Sequence, residues 1–188
     1  MMSDHADIAR RAAQDIGAAA AATDPASIDA AVAEIAQAQS ILCHGVGREG
    51  LMMRALAMRL CHLGCDAHVV GDMSAPPVGP RDLLIVSAGP GDLPTVGALA
   101  DVARQAGART LCVTAQPLGP VPAACDRILE IPAQTMANDR GAAASSVLPM
   151  GSVFEGAQFL VFEILVLALR ARLGITPEAM RARHTNLE

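Results

Sequence analysis

The chain has 188 residues with 14 Lys and Arg against 19 Asp and Glu, a net charge of −5. That length suits a single domain with a sizeable core. The acidic balance, no Trp or Tyr and only three Phe exclude a nucleic-acid partner, which calls for a basic patch and stacking aromatics.

Hydrophobic residues make up 52% of the chain and charged ones 18%, which predicts apolar surface covered by other copies and hence a homo-oligomer. Cys43, Cys61, Cys65, Cys112 and Cys125 form no C-x-x-C pair and no metal pattern with nearby histidines. They read as buried thiols in a reducing cytosol. The start, MMSDHADIARRAAQDIG, is too polar for a signal peptide. The apolar run 154–169 is interrupted by Glu155 and Glu163 and falls short of a membrane span. A soluble, cytoplasmic protein with no membrane partner and no metal is expected.

In chain order, 3–22 and 25–38 read as helices, Ala-rich with apolar residues at helical spacing and separated by Thr23-Asp24-Pro25. They form a helical lead-in, 1–38. Alternating units follow: strand 41–44, helix 48–63, strand 67–70, the loop DMSAPPVGPR and strand 82–86. A second glycine loop, AGPGD, leads to helix 94–106, stopped by Gly107. Strands 109–114 and 127–131 complete the set. Residues 132–149, rich in Ala, Ser and Gly, make a long loop. Helix 151–173 is apolar on nearly every face and therefore central, and helix 177–183 leads into the tail. Strands alternating with helices predict an α/β fold, a three-layer sandwich around a parallel, doubly wound sheet. Ligands bind such sheets at the carboxyl ends of the strands, where both glycine loops fall.

The first loop, ILCHGVGREG, places Gly45, Gly47 and Gly50 in the G-x-G-x-x-G pattern, and Asp72 follows at the spacing of a ribose-binding acid. Dinucleotide binding is therefore one reading. Against it, the second glycine loop has no role in that scheme and too little chain remains for a substrate domain.

Three segments carry a resemblance: GVGREGLMMRALAMRLCHLG, LPMGSVFE and the ending RHTNLE. Together and in this order they resemble 6-phospho-3-hexuloisomerase, of the sugar isomerase (SIS) domain superfamily. The resemblance implies a single SIS domain over 1–188, a five-stranded flavodoxin-like sheet, a tetramer, no metal and no cofactor. It also implies interconversion of 3-hexulose 6-phosphate and fructose 6-phosphate. Moving a carbonyl along a sugar needs a base that takes a proton beside it and returns the proton to the next carbon. Glu155 matches the family's glutamate, and its apolar neighbours Val153, Phe154 and Phe159 should raise its pKa. Without the resemblance, Glu155 is a glutamate whose charge suits a helix start. His184 matches a tail histidine that resembles a contribution to a neighbouring subunit's site, with residues 174–188 completing it. His62 reads as a core or interface histidine and Arg59 as an internal ion-pair partner.

The candidate substrate-binding residues are Gly45, Gly47, Arg48 and Glu49 in the first loop, Ser87, Ala88, Gly89, Gly91 and Asp92 in the second, and Ser74 between them. Here the chain departs from the family. Glu49 stands where the family has serine, and the second loop reads Ala88-Gly89-Pro90-Gly91-Asp92-Leu93 in place of S-G-S-G-E-T. The lost hydroxyls resemble a phosphate cradle, and each charge-assisted donor is worth about 1.5 to 3 kcal/mol. The ligand is thus a sugar or sugar phosphate, with a neutral or differently charged sugar suiting these loops better. A sugar-binding or regulatory protein without catalysis is the alternative.

Overall fold

The structure is a computed structural model describing residues 4–141 and 144–187. Ile41–His44 (β1), Ala67–Val69 (β2), Leu83–Ser87 (β3), Arg109–Thr114 (β4) and Arg127–Glu130 (β5) pair in parallel in the order β2-β1-β3-β4-β5. The registers align Cys43 with Val69 and Ile85, and Val86 with Cys112. Strands covered on both faces read as unbroken apolar runs, and all five residues of β3 are buried. The edge strand β2 is only half-buried.

The helices are His5–Ala21 (α1), Pro25–Ala36 (α2), Gly47–His62 (α3), Pro94–Gln105 (α4), Pro120–Ala123 (α5), Ser152–Leu173 (α6) and Pro177–Ala182 (α7). From β1 the chain winds through α3 to β2; from β3 it winds the other way through α4 to β4. Right-handed crossovers in opposite directions put α3 and α4 on opposite faces. Ile41, Cys43, Leu83, Ile85, Leu111 and Val113 pack against the α1, α2, α3 and α6 layer. Their neighbours Leu42, Leu84, Val86 and Cys112 face α4 and α5. The reversal leaves a crevice between the carboxyl ends of β1 and β3, where doubly wound sheets take their ligands.

Helix α6 is the hub of the thicker layer, packing on α1, α2 and α3. It is 22 residues long, and a mean hydropathy of 1.8 over an 18-residue window would let it cross a bilayer by length and composition. Here Phe154, Ala157, Val161, Leu165 and Leu169 are buried in the domain core. A row on its other side stays uncovered, with Phe159 47%, Ile164 44% and Leu167 55% exposed. Helix α1 approaches so closely that a Cβ on Gly156 would lie 2.6 Å from Ile16 Cδ1. Helix starts follow their caps: the carboxylates of Asp4 and Asp24 accept from Ala6 and Ala26 N–H, and Thr176 caps α7.

Three expectations are corrected. The strand expected at 82–86 runs one residue later, because the Asp82 carboxylate turns back to accept from Ser40 and Gly79 N–H. Helix α5 was not expected, its four residues being too few for a periodic signal. Only Cys43 and Cys112 are buried; Cys61 is exposed, and Cys65 and Cys125 are half-buried.

Candidate active site

The turn from β1 into α3 is built on close backbone approach. Gly47 takes φ +57°, and a Cβ on Gly50 would stand 2.5 Å from the Gly45 carbonyl oxygen. The glycine spacing that suggested a dinucleotide site thus has a steric origin. Its proposed acid, Asp72, lies 3.6 Å from Arg54.

The tight turn brings Glu49, in the first turn of α3, over the end of β3. Its Oε2 accepts from the Ser87 hydroxyl at 2.6 Å and from Gly89 N–H at 2.9 Å. Gly89 has to lack a side chain, because a Cβ there would fall 2.8 Å from both Glu49 Oε1 and the Phe154 ring. Ser87 in turn accepts from Gln158 Nε2 at 3.0 Å, so a chain of hydrogen bonds runs from α6 across β3 to α3. Burial pushes the Glu49 carboxyl above its ordinary pKa; the Ser87 and Gly89 bonds oppose this, and the charge of Glu155 adds to it.

Glu155 lies in the first turn of α6, where its charge also favours the helix dipole. Arg48 Nη2 stands 2.6 Å from Glu155 Oε2, an ion pair without hydrogen-bond alignment. Arg48 Nη1 donates to Ser152 Oγ at 3.2 Å. The Glu155 side chain is 15% exposed, that of Arg48 62%. Burial raises the Glu155 pKa and Arg48 pulls it back down. Both residues border a mostly apolar cavity of about 680 Å³ walled by Ala13, Ile16, Met52, Phe159 and Leu160. Just before α6, Met150 adopts φ +55°, the one non-glycine residue with positive φ among those described.

The long loop 132–149 contains no strand or α-helix among its described residues, as expected. It is nevertheless stitched: the Gln134 amide donates to Leu148 and Met150 carbonyls and accepts from Ser145 and Ser146 N–H, while Ser146 bonds Asp15 on α1.

The structure brings together Gly45, Gly47, Arg48, Glu49, Ser87, Gly89 and Glu155. Ala88 and Gly91 shape the second loop from within. Ser74 and Asp92 are exposed and make no hydrogen bond or ion pair among the described residues. Arg48, expected to meet substrate, is engaged by Glu155. His184 sits elsewhere, its ring 5.2 Å from that of buried His62 at the far end of α3. The 16 residues of α3 span about 24 Å at 1.5 Å per residue. A single chain therefore does not bring His184 to its own Glu155. Arg59 pairs with Glu163 at 3.0 Å, as expected.

Two residues had escaped the sequence reading. Gln158 is fully buried, with its Oε1 lacking a partner among the described residues. Its signal was an amide three positions after Glu155 in a helix apolar on nearly every face. His44, at the end of β1, has a buried Nε2 with no hydrogen-bond partner among the described residues, and burial lowers its pKa.

The SIS domain family matches residues 34–157, which include the whole sheet. The chain belongs to the SIS domain family. Among SIS relatives, the 3-hexulose-6-phosphate isomerase of Mycobacterium gastri is 34% identical over 174 residues, covering 93% of this chain and 86% of the relative. The Bacillus subtilis enzyme of the same name is 32% identical over 154 residues, covering 82% and 83%. A Methanococcus jannaschii crystal structure, from which a 3-hexulose-6-phosphate isomerase function was inferred, superimposes with a TM-score of 0.83 at 25% identity. That match covers 97% of this chain and 99% of the other. The resemblance read from three motifs and the five-stranded SIS fold both hold.

Proposed function

We propose that this SIS protein is a keto-sugar isomerase working through an enediol, the class to which the names of its relatives point. The observation that carries this is the Glu155–Arg48 pair on the cavity wall, a carboxylate of raised pKa beside an exposed cation. Glu155 takes the proton from the carbon next to the carbonyl, and the electron pair of that C–H bond forms the enediolate. As Glu155 becomes neutral, Arg48 loses its partner and is free to face the developing oxyanion. The same carboxylic acid returns the proton to the neighbouring carbon, and the carbonyl has moved. No metal or cofactor takes part in this scheme.

His184, supplied by the tail of a neighbouring chain, shuttles the proton between the two oxygens, since a neutral imidazole carries both a donor and an acceptor nitrogen. The uncovered row on α6 supports an assembly of this kind, a homotetramer in the cytoplasm. In such an assembly one SIS domain spans the chain and its tail completes a neighbour's site.

The test is exchange of solvent deuterium into the carbon positions flanking the carbonyl, followed by NMR with fructose, fructose 6-phosphate and 3-hexulose 6-phosphate. Exchange should fall by at least about 100-fold in Glu155→Gln with the assembly intact. Absence of exchange with every sugar in folded wild-type protein, or full exchange in the variant, would overturn the proposal.

A further inference from the structure

The crevice between β1 and β3 has what an anion site needs: a helix start, a glycine loop and a hydroxyl. The donors of the second loop are already spent. Ala88 N–H goes to the Val113 carbonyl, Gly89 N–H to Glu49, and Gly91 N–H to the Ala88 carbonyl, while Pro90 has none. The Ser87 hydroxyl donates to Glu49 as well. Arg48, the nearest cation, is held by Glu155. A carboxylate belonging to the protein therefore sits where an incoming anion would sit. Gln158 fixes Ser87 from behind, and the Gly89 backbone and Phe154 wall the carboxylate in. Glu49 is thus placed by the core and is not a loose surface charge.

Resting on the isomerase reading above, we propose that Glu49 sets substrate choice at this site: it fills the anion corner from inside, so the sugar bound there ends in a hydroxyl and a phosphate ester is rejected. Glu49 Oε2 is saturated by Ser87 and Gly89, whereas Oε1 takes no hydrogen bond among the described residues. An ionised carboxyl oxygen only accepts, and a sugar hydroxyl donates. A phosphate brought to the same place would meet two carboxylates, Glu49 and Glu155, with no unspent donor in residues 88–91. The relatives named for a phosphorylated substrate therefore differ from this chain at the end of the sugar distant from the chemistry, while the reaction at Glu155 is kept.

Calorimetric titration of the wild-type assembly with D-fructose and with fructose 6-phosphate tests this without relying on turnover. D-fructose should bind at least about 10-fold more tightly than its phosphate, a difference of about 1.4 kcal/mol. Glu49→Ser should reverse the order, and inorganic phosphate should then compete. Glu49→Gln, which keeps the shape and removes the charge, should recover part of the phosphate affinity, and it serves if the serine variant does not fold. Tighter binding of fructose 6-phosphate by wild type, no gain in either variant, or binding of neither sugar would each overturn the proposal. Loss of deuterium exchange with the binding order intact would remove only the isomerase reading.

Discussion

Two glutamates, each in the first turn of a helix and near enough to feel each other's charge, have opposite fates. Burial raises the pKa of both. Glu49 is held by two neutral donors from rigid elements, β3 and its loop, with glycine backbone closing the space behind. Glu155 is held by one arginine whose side chain is 62% exposed. A carboxylate held by fixed dipoles keeps its place and serves as a wall. One paired with a movable cation at a cavity edge can trade its charge and serve as a base. Partner type, more than burial, separates the two.

Breaking that contrast at Glu155 should have the largest effect. Glu155→Gln should lower kcat by about 100-fold to 10,000-fold with an unchanged melting temperature, whereas Glu49→Gln should leave deuterium exchange on fructose within about 10-fold. Equal losses in both variants would erase the distinction. His184→Ala should cost about 10-fold to 100-fold, and mixing its chains with Glu155→Gln chains should restore part of the activity if the tail serves a neighbour. No recovery after verified subunit exchange would place His184 outside the site.

Smaller effects sharpen the comparison. The rate should fall as pH drops through the Glu155 pKa, at a midpoint above the ordinary glutamate value of about 4.3, because the base must be ionised. Arg48 opposes the rise, so Arg48→Gln should move that midpoint further up. A rate profile that does not move would dissociate the pair from the chemistry. For Glu49, a folded-state pKa above the unfolded one contributes stability that is present below the unfolded value and lost as pH rises through the folded one. Glu49→Gln should therefore melt a few degrees higher than wild type near neutral pH, and the gain should vanish below about pH 4. A variant that melts lower at neutral pH would show that the charge strengthens the Ser87 and Gly89 bonds more than burial penalises it.

The sheet was legible because strands buried on both faces leave unbroken apolar runs ended by glycine loops. What blurred it was local: Asp82 looked like strand but spends its carboxylate on a turn. Glu155 could be placed because a motif carried it, and the two loops because glycines mark close backbone approach. The meaning of Glu49 could not be read in full. A negative charge in the first loop was visible, but its turning inward onto Gly89 depends on the geometry of two loops separated by 40 positions. The pairing of Arg48 with Glu155 could not be read either, since the two lie on different helices. His184, assigned to the site by the tail motif, lies beside His62 in the single chain, a long-range contact that no local pattern encodes.

The closeness of α1 to α6 at Gly156 carries a last consequence. Ala13 and Ile16 of α1 form part of the cavity wall beside Glu155, and Ile16 fits against the residue next to it. The lead-in brings no reactive group to that cavity, yet it covers one flank of Glu155. It acts as insulation: trimming α1 away would hydrate Glu155 and let its acidity drift back toward that of a free glutamate. On the proposed mechanism, a segment with no chemistry of its own would thus set the pH range over which the chemistry can run.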